Sequence, residues 1–131
     1  MATASGLAEA TYERLSTLQD RINVFDGYAP TGAGETYAVF YPESGGASST
    51  RQGGTFDSLG WGCYLICAGR TRTQVLAAVD LVRACLLAFS PDPSPAAEGL
   101  REVELGSTMQ RDPNGGLFSL TLRYILTTTR S

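Results

Sequence analysis

The sequence predicts an α+β fold: a single two-layer domain in which a mixed, mostly antiparallel sheet of about five strands carries two helices packed on one face. Three observations carry that expectation. Residues 61–67 form an extended run that is largely apolar on both sides, with Trp61, Cys63, Leu65 and Cys67 projecting one way and Gly62, Tyr64 and Ile66 the other. Such a run marks a central strand buried on both faces. Soon after it, Val75, Val79, Val82, Leu86 and Phe89 recur at steps of four and three, the spacing of a long amphipathic helix. Further on, Phe118, Leu120, Leu122, Tyr124 and Leu126 alternate with Ser119, Thr121, Arg123, Ile125 and Thr127, the two-residue period of a strand with one core face.

The other elements follow in chain order. Leu7, Ala8, Tyr12, Leu15 and Leu18 make an apolar stripe over 6–19, with Glu9, Glu13 and Arg14 facing away and Ser5 available as a cap, which predicts a surface-lying first helix. Ile22 to Phe25 is a short β-prone run, ended by Asp26 and Gly27; Pro30 and the glycines up to Gly34 make a turn. Thr36 to Tyr41 reads as a second strand, with Tyr37, Val39 and Tyr41 on one face and Ala38 and Phe40 on the other, stopped by Pro42.

Residues 43–54 hold four glycines, three serines, a threonine and an alanine, with no large apolar side chain. This loop cannot pack as core, so it is expected to be either flexible in the isolated subunit or an arm ordered by a neighbouring one. Arg51 and Gln52 are its long side chains. After the central strand, the pattern breaks at Ala68 and Gly69, and Thr71 to Gln74 fit a capping box. The helix then runs over 72–89, with Leu76 and Leu87 widening its apolar stripe, until Ser90, Pro91, Asp92 and Pro93 stop it. About eighteen residues of helix would span ~27 Å. Ser90 to Glu98 carries three of the six prolines and reads as a stiff linker. Leu100 to Leu105 is extended again, near a sheet edge, with Arg101, Glu102 and Glu104 on an exposed face. The turn residues Asp112, Pro113, Asn114, Gly115 and Gly116 predict a hairpin between Val103 and Leu120.

Composition bounds the chemistry. A chain of 131 residues supports one domain with a real core. Net charge is −3, every basic residue is an arginine, and lysine and histidine are absent. Without a basic stripe, phosphate neutralisation on the scale needed for nucleic-acid binding is not expected; such a surface would let DNA pass without sticking. The three cysteines, Cys63, Cys67 and Cys85, sit inside apolar stretches and read as small buried hydrophobes of a reducing compartment. Cys63 and Cys67 lie four residues apart on one strand, ~13 Å between Cα atoms, too far for a disulfide. No secretory leader and no membrane span is read from the sequence; the most apolar segment, Val75 to Phe89, is interrupted by Asp80 and Arg83.

With no histidine and no lysine, a serine or cysteine nucleophile would have no base of the usual kind, so no catalytic residue is assigned. Glu102 and Glu104 share a strand face and are read as solvated charges. Gly60, Gly62 and Gly69 do not compose a phosphate-binding fingerprint, and no metal or cofactor is expected. Two helices can cover one face of such a sheet, yet the central strand is apolar on both sides, which predicts that a partner subunit completes the burial.

Three stretches carry a family resemblance: Val24, Phe25, Asp26 and Pro30 followed by Tyr37, Ala38 and Val39; Trp61 to Leu86; and Asp112 to Thr127. In their order of strand, turn, central strand, long helix and closing strand they resemble the tail terminator (tail completion) proteins of long-tailed bacteriophages. The resemblance implies a structural protein at the head-proximal end of the virion tail, assembled in the host cytoplasm. It implies a homo-oligomeric, usually hexameric, ring that caps the tail tube protein and offers a joining surface to the head-tail connector protein, with DNA passing through unbound. Arginines are favoured at interfaces, so Arg51, Gln52, Arg70, Arg72 and Arg123 are the candidate subunit-interface residues. The alternatives are another neck or minor tail component, such as a head-closure or tube protein, or a small-ligand-binding domain using a cleft beside Trp61.

Overall fold

The computed structural model describes residues 4–29, 34, 36–43, 46–47, 58–87, 89–91, 99–103, 108–111 and 116–129. The chain runs α1 (Ala4–Ser16), β1 (Asn23–Asp26), β2 (Thr36–Pro42), β3 (Gly46–Ala47), β4 (Ser58–Gly69), α2 (Arg72–Leu86), β5 (Arg101–Val103), β6 (Gln110–Arg111) and β7 (Phe118–Thr129). One sheet takes the strands in the order β1-β2-β4-β7-β5, with the two-residue β3 and β6 paired onto β4 and β7. β1 lies parallel to β2 and the other pairings are antiparallel, so the sheet is mixed and mostly antiparallel. The fold is α+β, a single domain with an open sheet.

β4 is the spine. Its ladder with β7 runs from Ser58 opposite Thr129 to Gly69 opposite Phe118, and its other edge pairs with β2 from Thr36 opposite Gly69 to Pro42 opposite Cys63. The strand is therefore longer than its apolar pattern, which breaks at Ala68. Backbone pairing needs no apolar side chain, and Gly69 has a packing role, since a Cβ there would lie 2.9 Å from the Cβ of Gln74. The next turn is fixed by the capping box: the Gln74 amide donates to the Thr71 hydroxyl, and the Gln74 side chain accepts from the Thr71 and Arg70 amides.

α2 packs across β2, β4 and β7, and α1 lies beside it over β1 and β4. Phe40, Cys63, Leu65 and Cys67 from the sheet and Val75, Val79, Val82 and Leu86 from α2 are fully enclosed. The helix ends at Leu86, three residues short of Phe89; Leu87 turns out with ψ of 119°, and the Phe89 amide donates to the Leu86 carbonyl at 3.1 Å. Leu76 and Leu87 do not widen the core stripe as expected. They are 50% and 78% exposed, because the positions that complete the stripe are the small Ala78 and Cys85, which let the helix sit close to its neighbours.

At the first helix the cap reading is corrected: α1 starts at Ala4, so Ser5 lies inside it. Arg14 does not simply face solvent. Its Nε donates to the Cys85 carbonyl at 3.0 Å and its guanidinium stands 5.3 Å from the centre of the Phe89 ring, a cation on the carbonyl end of α2. The buried Thr11 satisfies itself by donating to the Leu7 carbonyl at 2.8 Å. The Gln19 side chain pairs with Val24 as a strand would, donating to its carbonyl at 2.7 Å and accepting from its amide at 3.2 Å, which closes that part of the β1 edge.

Other boundaries shift as well. The edge strand expected over 100–105 is Arg101–Val103, and Val103 faces Arg123 instead of Leu120; the hairpin ladder nearest the turn is Gln110 opposite Ser119 and Arg111 opposite Phe118. The 43–54 loop, expected to lack regular structure, contributes Gly46 and Ala47 as β3 against Gly60 and Leu59. Its Arg51 and Gln52 lie outside the described residues, as do Glu104 and the turn residues 112–115.

Truncating the two kinds of leucine on α2 should separate core from surface. Leu86→Ala is expected to cost about 2–5 kcal/mol, whereas Leu76→Ala should cost less than about 1 kcal/mol. Urea unfolding midpoints check both; equal losses would contradict the placement of the helix.

Candidate functional site

The β-strand period sends Val24, Phe40, Cys63, Leu65, Leu122 and Tyr124 toward the helices, and it sends an equally coherent set the other way. Tyr37, Val39, Tyr41, Tyr64, Ile66 and Ile125 share that second face through the register of β2, β4 and β7. Val39 is buried between its neighbours and the others are half-buried. Among the described residues no helix covers this face. It is a side of the sheet with aromatic and β-branched side chains standing in rows, finished in polar terms by Thr121 and Arg123.

Arg123 is the charged centre of this face. It sits opposite Tyr64 in the ladder, its guanidinium 5.1 Å from that ring's centre, and its Nη2 donates to the Glu43 carboxylate at 3.2 and 3.5 Å. Gly62 makes the ion pair possible. The Glu43 amide donates to the Gly62 carbonyl at 2.9 Å, and a Cβ on Gly62 would collide with the Glu43 carboxylate. The Glu43 carbonyl in turn accepts from the Trp61 indole N–H at 2.9 Å. Trp61 is only 3% exposed, so its ring is a wall of the core. Arg123 Nε is buried without an acceptor. Leaving such a donor unmatched costs on the order of 1–3 kcal/mol or more for a charged group.

The sequence-predicted interface residues do not converge. Arg70 and Arg72 lie where β4 passes into α2, and Arg72 reaches over the Phe118 ring at 5.7 Å. Phe118 is five residues from Arg123 along β7, ~17 Å at the rise of a strand. The arginine that joins Arg72 is Arg111, 5.6 Å from the same ring, and the sequence reading missed it because β6 is only two residues long. Glu43 was missed for a different reason: its partnership spans 80 residues of chain and no local pattern signals it.

The remaining polar constellation is structural. Glu102, expected as a solvated charge, accepts two hydrogen bonds from Arg83 of α2 at 2.9 and 3.0 Å and a third from the Tyr124 hydroxyl at 3.1 Å, tying the helix to the edge strand β5. The Glu102 hydrogen bond holds the Arg83 pKa above its usual value, and burial followed by the Glu102 charge pushes the Tyr124 phenol up. Burial pushes the Cys63 and Cys67 thiols from 9.0 up to about 12, with Glu43 adding to the effect at Cys63. They stay protonated, and no thiolate is available for nucleophilic work. Cys85 donates its S–H to the Arg14 carbonyl at 3.2 Å. Among the described residues, no group of three or more His, Cys, Asp or Glu side chains is placed to hold a metal ion, and no helix is long and apolar enough to cross a membrane.

No protein-family model matches the chain, and no curated protein matches it. Its fold does match a solved structure. The chain is similar to a chain of the "Virion of native gene transfer agent (GTA) particle", with a TM-score of 0.75 over 99% of both chains at 17% sequence identity. At that identity the likeness shows a common fold, extending from one end of the chain to the other.

The thiols give a pH test. Because the folded pKa values of Cys63 and Cys67 lie above the unfolded 9.0, the unfolded chain loses these protons first, so their contribution to stability is intact below pH 9 and is lost as pH rises toward about 12. Tyr124 acts in the same direction. The urea midpoint should fall between pH 8 and pH 10, and at pH 8 iodoacetamide should spare Cys63 and Cys67 until the protein is denatured; rapid alkylation of the folded protein would contradict their burial.

Proposed function

We propose that this chain is a non-catalytic structural protein of a phage-like virion, a ring-forming subunit of the tail-terminator type. In this reading the ring, of six copies in the usual case, caps the tail tube and presents the surface to which the head-tail connector docks. The observation that carries the proposal is the end-to-end fold likeness to a chain of a virion particle. Two features of the chain support it. One sheet face is built of Tyr37, Val39, Tyr41, Tyr64, Ile66 and Ile125 and has no covering layer among the described residues, as a subunit that finishes its burial in an assembly would have. The acidic balance, net −3 with ten arginines dispersed along the chain, suits a ring through which DNA passes without being held.

Arg123 belongs to that face, and Arg70 and Arg72 to one end of the sheet, so the proposed interface residues divide between a lateral contact and an end contact. The end pair, with Arg111 beside it, would face a neighbour along the tail axis. Arg51 and Gln52 are proposed as part of an assembly arm.

Negative-stain electron microscopy of the purified protein should show rings of uniform diameter, and the protein should co-sediment with isolated tail tubes. A strictly monomeric protein over a wide concentration range that ignores tail tubes would sink the proposal.

A further inference from the structure

A second surface with no covering element among the described residues lies on the far side of the domain. Around α2, Thr73, Leu76, Asp80 and Ala84 project on the side opposite the buried Val75, Ala78, Val82 and Leu86, and Leu87 extends the same stripe past the helix end. All five are exposed, and Leu76 and Leu87 are two of the three large apolar side chains most exposed among the described residues. Leu76, Ala84 and Leu87 make the stripe largely apolar, with the Thr73 hydroxyl at its start and one carboxylate, Asp80, at its middle. Arg83, one turn on, is already committed to Glu102 through two hydrogen bonds.

This stripe and the open sheet face are complements. Rows of tyrosine and β-branched side chains make the sheet face a broad apolar bed, as the inner face already is for the other side of α2. At its centre stands Arg123, about a third exposed, whose guanidinium is engaged by Glu43 through Nη2 alone. A guanidinium offers five N–H donors, so one carboxylate does not saturate it. Asp80, whose charge also acts on Arg83, is the acidic group of the α2 stripe.

We infer that the outward stripe of α2 in one copy packs on the open sheet face of the next, with Asp80 placed against the Arg123–Glu43 pair, so that copies join head to tail. The inference rests on the ring reading and names its lateral contact. A face-to-face pairing of two sheets would leave the α2 stripe bare and oppose Arg123 to Arg123; the head-to-tail contact covers both surfaces at every junction. It is also the kind of contact that closes into a ring when successive copies are rotated by a fixed angle.

Variants that each add one cysteine decide it, because the three native thiols are buried. Asp80→Cys protein and Thr121→Cys protein are treated, separately and mixed, with a short bismaleimide at concentrations where rings form. The expected result is a covalent dimer only in the mixture, and a ladder up to the ring number in the double variant; Asp80→Arg should raise the concentration needed for rings at least tenfold. Self-linking of the Thr121→Cys protein would overturn the inference in favour of sheet-to-sheet pairing. Rings seen by microscopy with no mixed link would overturn the contact while leaving the ring reading standing, and a protein that stays monomeric would overturn both.

Discussion

The structure depends on one constraint: a two-helix layer can enclose only one side of a sheet whose central strand is apolar on both. On the enclosed side, α2 closes over Phe40, Cys63, Leu65 and Cys67 with the small residues Ala78 and Cys85 at the contact. On the other side, Tyr64 and Ile66 of the same strand remain half-buried beside Tyr37, Val39 and Ile125. The proposed lateral contact is a consequence of that asymmetry, because the face without a covering layer among the described residues is where this chain has free energy left to gain.

Magnitudes show what such a face can and cannot decide. Covering an apolar patch of about 600 Å², the upper end for the surface of a typical monomer, would give about 15 kcal/mol in gross terms. The translational, rotational and side-chain costs of association are of the same order, roughly 4–15 kcal/mol or more. Apolar burial alone is thus enough to make association thinkable and insufficient to choose a partner. The choice falls to the few charges set in the apolar field: Arg123 with Glu43 on the sheet, Asp80 on the helix. Gly62 belongs in this account because it is the space over Gly62 that lets Glu43 lie beside the sheet and hold Arg123.

Much of this was legible in the sequence, where a local rule governs. The capping box at Thr71 and Gln74, the doubly apolar run 61–67 and the alternation of 118–127 all report short-range physics, and the two-layer α+β sheet follows from them. The failures cluster where tertiary context overrides the local rule. Leu76 and Leu87 fit a generous helical stripe by type, but the packing distance to β4 admits Ala78 and Cys85 and turns the leucines outward. The Arg83–Glu102–Tyr124 tie and the Arg123–Glu43 pair join residues 19 to 80 positions apart, and Arg111 meets Phe118 through a two-residue strand too short to leave a pattern. The candidate site was legible in part: the apolar second face was visible from the alternation, whereas the ion pair at its centre and the matching stripe on α2 were not.

The central claim is that the Tyr37, Tyr41 and Tyr64 face is covered by protein in the assembled state. Hydroxyl-radical footprinting of rings and of dilute monomer, read by mass spectrometry, measures this directly, with the 70%-exposed Tyr28 as the internal control. The account predicts that labelling of Tyr37, Tyr41 and Tyr64 drops several-fold on assembly while that of Tyr28 stays high. Equal labelling of the three tyrosines in ring and monomer would contradict it.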